Sequence, residues 1–268
     1  MVSFDDVDEK KLKKVKKYGF KEEKPKKYEV VRYKGMATLI LYKTGKLLIQ
    51  GSKKNVEEAE KLVKFLGITE DTKFFSGLAV GSDETLKGDT FGGLVVCAFK
   101  ADDKIRAELR ELGVRDSKEL SKPEIVRLAK ELEEKYPKNF HVESIFPREY
   151  NKLNMKYNVT EILDKYHKKC YNKLSRTAIH IVDKYPGCKV GDVIKKRAES
   201  KYTEVAAASI IARCFALRQI RELEQRAGFF IPLGSTHVES ALLEIKKKSL
   251  NPKDYVKLKF KNVVAFFQ

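Results

Sequence analysis

The stretch GLAVGSDETLKGDTFGGLVVCAFK, residues 77–100, decides how the larger part of this chain folds. Its two apolar runs, Leu78-Ala79-Val80 and Leu94 to Phe99, lack polar alternation, as strands buried on both faces require. The first run leads into Gly81-Ser82-Asp83-Glu84, so a buried strand closes on two acids. His141–Phe146 and Ile179–Val182 read as two further strands, the second closed by Asp183. Helical spacing over Pro123–Tyr136, residues 159–175 and Lys201–Ala227 falls between and after them. Strands alternating with helices predict an α/β domain whose sheet is covered by helices.

Upstream of this stretch, residues 1–68 form a separate, lysine-rich unit. A helix is predicted near residues 6–17, followed by strands at Tyr28–Tyr33, Met36–Tyr42 and Leu47–Ile49, with turns at Lys34-Gly35 and Thr44-Gly45. Asn55 is the expected cap of a helix with the apolar face Val56, Ala59, Leu62, Val63 and Leu66, stopped by Gly67. The predicted division is therefore a small α+β domain over 1–68, a linker over 69–76 and a larger domain over 77–268.

Composition narrows the function. The 268 residues are 42% hydrophobic, enough to bury a core. Lysine and arginine number 56 against 38 acids, a net charge of +18 that attracts polyanions. No run approaches the ~20 apolar residues of a membrane span, and the N-terminus lacks a signal-peptide core. A cytoplasmic protein with no membrane partner, monomeric by default, is expected. Four cysteines without CxxC spacing and four histidines without paired spacing argue against a nitrogen- or sulfur-bound metal. Any metal should be hard and oxygen-bound.

The candidate chemistry lies at the strand ends, where side chains from separate strands converge. Adjacent carboxylates in a dry setting repel and call for a cation, although Asp83-Glu84 taken alone also reads as a pair of surface acids. The glycine-rich turn with Lys87 and Gly88 can bring backbone N–H groups and an ammonium to a phosphate or ribose. Ser121 and Glu124 have capping-box spacing ahead of Pro123, and Asp116-Ser117-Lys118 precede that helix, where a phosphate can bind. Glu199 sits at or before the start of a helix rich in small residues, as either a functional acid or a cap.

Four strings in order, GSDETLKGDTFGG at 81–93, DSKELS at 116–121, AIHIVDKYP at 178–186 and KRAESKYTEVAAASIIAR at 196–213, resemble the ribonuclease HII/HIII group, specifically its HIII type. FPREYNKLNMKYN at 146–158 and YKTGKLLIQG at 42–51 extend the resemblance over nearly the whole chain. It implies an RNase H-like mixed sheet flanked by helices, preceded by a TATA-binding-protein-like domain that binds substrate. It also implies two-metal endonucleolytic cleavage of RNA in RNA/DNA hybrids with Mg²⁺ or Mn²⁺, leaving 3′-hydroxyl and 5′-phosphate ends. By position the acids are Asp83, Glu84, Asp183 and Glu199. Asp192 is the weaker third acid, since no buried strand precedes it. Lys87, Gly88, Asp116, Ser117 and Lys118 are the implied substrate contacts. Tyr33, Tyr42, Lys43 and Lys46 are candidates in the first domain, where an ordinary wet sheet face is the competing reading. Substrate is expected between the two domains. Leu86 replaces the family's usual glycine and Gly93 its usual proline; both departures bear on site preference before cleavage. A non-catalytic binder and an enzyme excising single ribonucleotides are the competing functions, disfavoured by the complete acid set and by Glu199 with the extra domain.

Overall fold

The computed structural model describes residues 1–5, 7–66, 68 and 77–267, and the chain divides into two units, 1–75 and 76–268. The expected linker, 69–76, and the expected helix stop at Gly67 lie outside the described residues.

The first unit is an antiparallel sheet in the order β1-β5-β4-β3-β2, built from β1 (Val2–Phe4), β2 (Lys21–Glu23), β3 (Glu29–Lys34), β4 (Thr38–Tyr42) and β5 (Leu47–Gln50). The expected helix near 6–17 is a short α1 (Glu9–Leu12) that tightens into a 3-10 helix over Lys13–Tyr18. The second helix, α2 (Lys53–Phe65), is capped by Ser52 and not Asn55. Ser52 Oγ accepts the Asn55 N–H at 3.3 Å, and the Asn55 side chain donates instead to the Met36 carbonyl at 2.7 Å. Val56, Ala59 and Val63 bury against Val31, Tyr33, Leu39, Leu41 and Ile49. Ile68 packs into the same core.

The second unit holds a mixed sheet in the order β10-β9-β6-β7-β8. Its strands are β6 (Ala79–Thr85), β7 (Leu94–Ala101), β8 (Phe140–Ile145), β9 (Ile179–Asp183) and β10 (Val193–Lys195). The helices are α3 (Asp103–Glu111), α4 (Lys122–Lys135), α5 (Pro147–Lys156), α6 (Val159–Leu174), α7 (Thr203–Ala227), α8 (Glu239–Lys247) and α9 (Lys261–Phe267). The continuous apolar run in β7 has its physical cause here. Val95, Cys97, Phe99 and Ala101 share one core with residues of α4, α7 and α8, while Leu94, Val96 and Ala98 share another with residues of α5 and α6.

Helix α7 seats directly on β6. A Cβ on Gly81 would lie 2.4 Å from the Val205 nitrogen, so only glycine allows that approach. Glu204, buried in the first turn of α7, takes a two-pronged ion pair from Arg106 of α3, both contacts 3.0 Å. Further along, Gln219 accepts the Gly93 N–H at 2.8 Å and donates to the Ile145 carbonyl at 3.2 Å. That network explains one departure from the family pattern. A Cβ on Gly93 would fall 2.0 Å from the Ile145 oxygen, which leaves no room for proline and needs the N–H that proline lacks.

Candidate active site

Strand β6 runs through Thr85, so Asp83 and Glu84 lie inside it and not beyond its end. Successive side chains in a strand point to opposite faces. Asp83 therefore shares the α7 face with Gly81, and Glu84 shares the α6 face with Ser82. The neighbour that matters for Asp83 is across the sheet. Strands β6 and β9 are parallel with Gly81 opposite Ile181 and Ser82 opposite Val182. The next residues in that register are Asp83 and Asp183, on the same face of strands whose backbones run about 4.8 Å apart where they pair. Like charges placed directly opposite repel.

The third acid reaches this face from a 3-10 turn, Ala198–Ser200, ahead of α7. The turn is tied to β9 because Asp183 Oδ1 accepts the Ala198 N–H at 2.8 Å. Glu199 is buried, and its Oε2 accepts hydroxyl hydrogens from Ser117 at 3.0 Å and Ser209 at 2.9 Å. Its other oxygen is in contact with Lys118. On the opposite face, Glu84 Oε1 takes Lys87 at 2.5 Å and Oε2 takes His167 Nε2 at 3.1 Å.

The carboxyls divide electrostatically. Burial, then the charges of Glu84 and Glu199, push Asp83 well above its ordinary value. Asp183 is also raised by burial, against the Ala198 hydrogen bond. For Glu84 burial acts upward too, but His167 and Lys87 outweigh it and hold the carboxyl low. Lys118 and the two serine hydroxyls do the same for Glu199 against its burial. An ammonium thus sits on each glutamate, while burial and the charges of Glu84 and Glu199 raise both aspartates. Carboxylate oxygens alone suit a hard divalent ion. Among the described residues no three His, Cys, Asp or Glu side chains encircle an ion position by themselves. Such an ion would be completed by water and substrate oxygens, as Mg²⁺ commonly is.

The residues expected at the substrate fall in three groups. Lys87 is half-buried and Gly88 exposed in the turn after β6, next to the acids. Asp116 caps a 3-10 turn by accepting the Lys118 N–H at 3.0 Å, and Ser117 is buried behind Glu199 with its carbonyl held by Arg213. Ser117 therefore faces an acid and not an open phosphate position. In the first unit, Lys43 and Lys46 are exposed and Tyr42 is half-buried. Tyr33 must be corrected: it is 0% exposed, because the β3 alternation sends Val31 and Tyr33 into the core. The sequence reading also missed His167, His180 and Ser82, which meet only through the packing of α6 on the sheet.

The family model of ribonuclease HII matches residues 80–263. The chain belongs to the ribonuclease HII family, on its HIII branch. Ribonuclease HIII of Aquifex aeolicus is 35% identical over 225 residues, 82% of each chain. That of Bacillus pumilus is 32% identical over 247 residues, 78% of each. Among solved structures, Aquifex aeolicus RNase H3 superposes with a TM-score of 0.58 at 30% identity, covering 97% of this chain and 100% of that one. Bst-RNase HIII, solved in complex with Mn²⁺, shares the fold with a TM-score of 0.65 at 24% identity, covering 99% and 98%. The RNase H-like mixed sheet is thereby established, and membership of the ribonuclease HII family makes the chain a ribonuclease H, a hydrolase of phosphodiester bonds.

Proposed function

We propose that this ribonuclease H cuts the RNA strand of RNA/DNA hybrids internally, with Asp83, Glu84, Asp183 and Glu199 holding two Mg²⁺ or Mn²⁺ ions and the products ending in 3′-hydroxyl and 5′-phosphate. The observation that carries the reading is the facing pair Asp83 and Asp183, next in register on neighbouring strands and both raised in pKa. Bound divalent ions would neutralise that pair, polarise the phosphodiester and lower the pKa of the attacking water. The remaining work belongs to the chain. Ala198 N–H orients Asp183, Glu84 N–H orients Asp83 at 2.8 Å, and two buried hydroxyls orient Glu199. Lys87 and Lys118, on half-exposed and exposed arms, are free to turn from the glutamates to backbone phosphates. The turn with exposed Gly88 presents backbone groups to a ribose 2′-hydroxyl. Tyr42, Lys43 and Lys46 of the first unit add contacts to the hybrid backbone, and the enzyme works as a cytoplasmic monomer.

The test compares wild type with Asp83→Asn on a labelled hybrid and on DNA carrying one ribonucleotide, with and without Mg²⁺. Wild type should cut the hybrid only with metal, and Asp83→Asn should leave it intact. Equal cutting by both proteins, or none by either, would sink the proposal. Cutting confined to the single ribonucleotide would transfer it to excision.

A further inference from the structure

Three buried polar groups behind Glu84 form a line that the reaction does not otherwise use. Ser82 Oγ lies 2.8 Å from His167 Nδ1 and 2.8 Å from His180 Nε2, and His167 Nε2 lies 3.1 Å from Glu84 Oε2. Ser82 and His167 are 0% exposed and His180 4%, so water does not compete for these contacts. The rings are also held by packing. Tyr171 stacks on His180 at 4.5 Å with planes 12° apart, and Tyr185 lies 5.2 Å from His167.

Donor and acceptor chemistry orients the line. A carboxylate only accepts, so His167 Nε2 carries a hydrogen and donates it to Glu84. With Nδ1 as the acceptor of the Ser82 O–H, the whole line takes one direction. The Ser82 oxygen accepts in turn from Nε2–H of His180, whose burial holds it neutral with a pKa of about 3. Every hydrogen bond in the line points towards the acid.

We propose that His167 is a positioning residue for Glu84, held in the Nε2–H form by Ser82 and His180, so that one carboxylate oxygen is fixed and the other is left to exchange. The exchange side is set by the partners. His167 cannot leave its buried place, whereas Lys87, 37% exposed in its side chain, can swing away from Oε1 and yield it to a metal ion. The inference rests on the reading of Glu84 as a metal-binding carboxylate.

The experiment uses the full chain in three arms. Ring ¹⁵N–¹H spectra of the metal-free protein should show both His167 and His180 as Nε2–H tautomers. Calorimetric titration with Mn²⁺ should show His167→Leu binding at least ~10-fold more weakly than wild type, the usual loss when a group orienting a ligand is removed. His167→Gln, whose amide N–H replaces Nε2–H, should recover most of that loss. Ser82→Ala, a small change that keeps the packing, should weaken Mn²⁺ in the same direction and scramble the His167 tautomer. Steady-state kinetics on the hybrid should show kcat falling at limiting metal with KM for hybrid unchanged. A proton on His167 Nδ1 would overturn the proposal, as would a folded His167→Leu or Ser82→Ala with wild-type Mn²⁺ affinity. If wild type takes up no Mn²⁺ while both tautomers are as stated, the metal reading of the acids fails and the hydrogen-bonded line stands.

Discussion

Replacing Leu86 by alanine and, separately, by glycine measures two opposed features of one residue. Leu86 has φ +64°, the left-handed region that costs a side-chain-bearing residue about 1–2 kcal/mol. It is nonetheless 3% exposed and belongs to the larger core, its Cδ1 filling the space where a side chain on Gly92 would sit. Leu86→Ala keeps the backbone strain and removes the packing, so it should destabilise by about 2–5 kcal/mol. At an ordinary position glycine would then be about 0.5–1 kcal/mol worse than alanine, through the entropy of the unfolded chain. Here release of the left-handed strain more than offsets that loss. Leu86→Gly should be more stable than Leu86→Ala by about 0.5–1 kcal/mol, while both stay below wild type. Urea unfolding of the three full-length proteins, compared by midpoint, reads the order directly. If glycine proves worse than alanine, the strain argument is wrong; if alanine matches wild type, the packing argument is. The same variants, assayed on the hybrid and on a single ribonucleotide in DNA, show whether the anchored turn sets site preference.

Three further outcomes follow from the packing around the site. Gly81→Ala should cost about 1–3 kcal/mol by forcing α7 off β6, and should lower hybrid cleavage because Ser209 and the Glu199 turn move with the helix; unchanged melting would refute the close approach. Glu204→Leu takes the buried carboxylate from Arg106, which keeps Asp103 at 3.0 Å and the Gly77 carbonyl at 2.7 Å, and should destabilise by at most about 3–5 kcal/mol, much of it recovered in Glu204→Leu/Arg106→Met; a double variant as unstable as the single would show the pair was not the cause. Lys257 is buried and held at a pKa of about 7, below its ordinary 10.5. The unfolded chain therefore binds the extra proton between those values, and wild type should gain stability as pH rises from 7 towards 10.5. Relative to Lys257→Met the gain has a ceiling of about 5 kcal/mol, reduced by the Asp89 and Gly92 carbonyls that hold the ammonium; parallel melting curves of the two proteins at pH 7 and 9 would contradict it.

What the sequence made legible follows from burial. Strands β6, β7 and β9 were readable because each carries a run of apolar residues, and β7 packs on both faces, whereas β8 shows only spaced apolar residues, Phe140, Val142 and Ile145. Strand β10, three half-buried residues, carries no such run. Edge strand β2, Lys21-Glu22-Glu23, is made of charges and could not be read as a strand. The cap of α2 was misplaced because Lys53 and Lys54 follow Ser52, so apolar periodicity begins only at Val56. Tyr33 was misjudged for a different reason. A tyrosine in a basic sheet suits a stacking surface equally well, and only the phase of alternation sends it inward. The candidate acids were chosen from strand ends and motif order, but their hydrogen-bond partners were not legible. Ser82 and His167 stand 85 positions apart, and nothing local in either stretch marks the contact.

The register of β6 and β9 alters the reason for expecting metal at this site. Neighbouring acids in a strand suggested a shared cation, yet alternation places Asp83 and Glu84 on opposite faces. Asp83 and Asp183 come next after the paired Ser82 and Val182, so the parallel register directs both to one face. Lys87 and Lys118 sit on Glu84 and Glu199, and the charges of those two glutamates, with burial, still raise both aspartates. A side-chain cation there would be a poor solution, since a lysine fixed between the strands would block the phosphodiester that the proposed reaction must admit. An exchangeable divalent ion relieves the same repulsion and brings open coordination positions with it. In the proposed reading the facing aspartates make the need for the ion, and the two glutamates, each already holding a displaceable ammonium, complete its surroundings as substrate draws the lysines away.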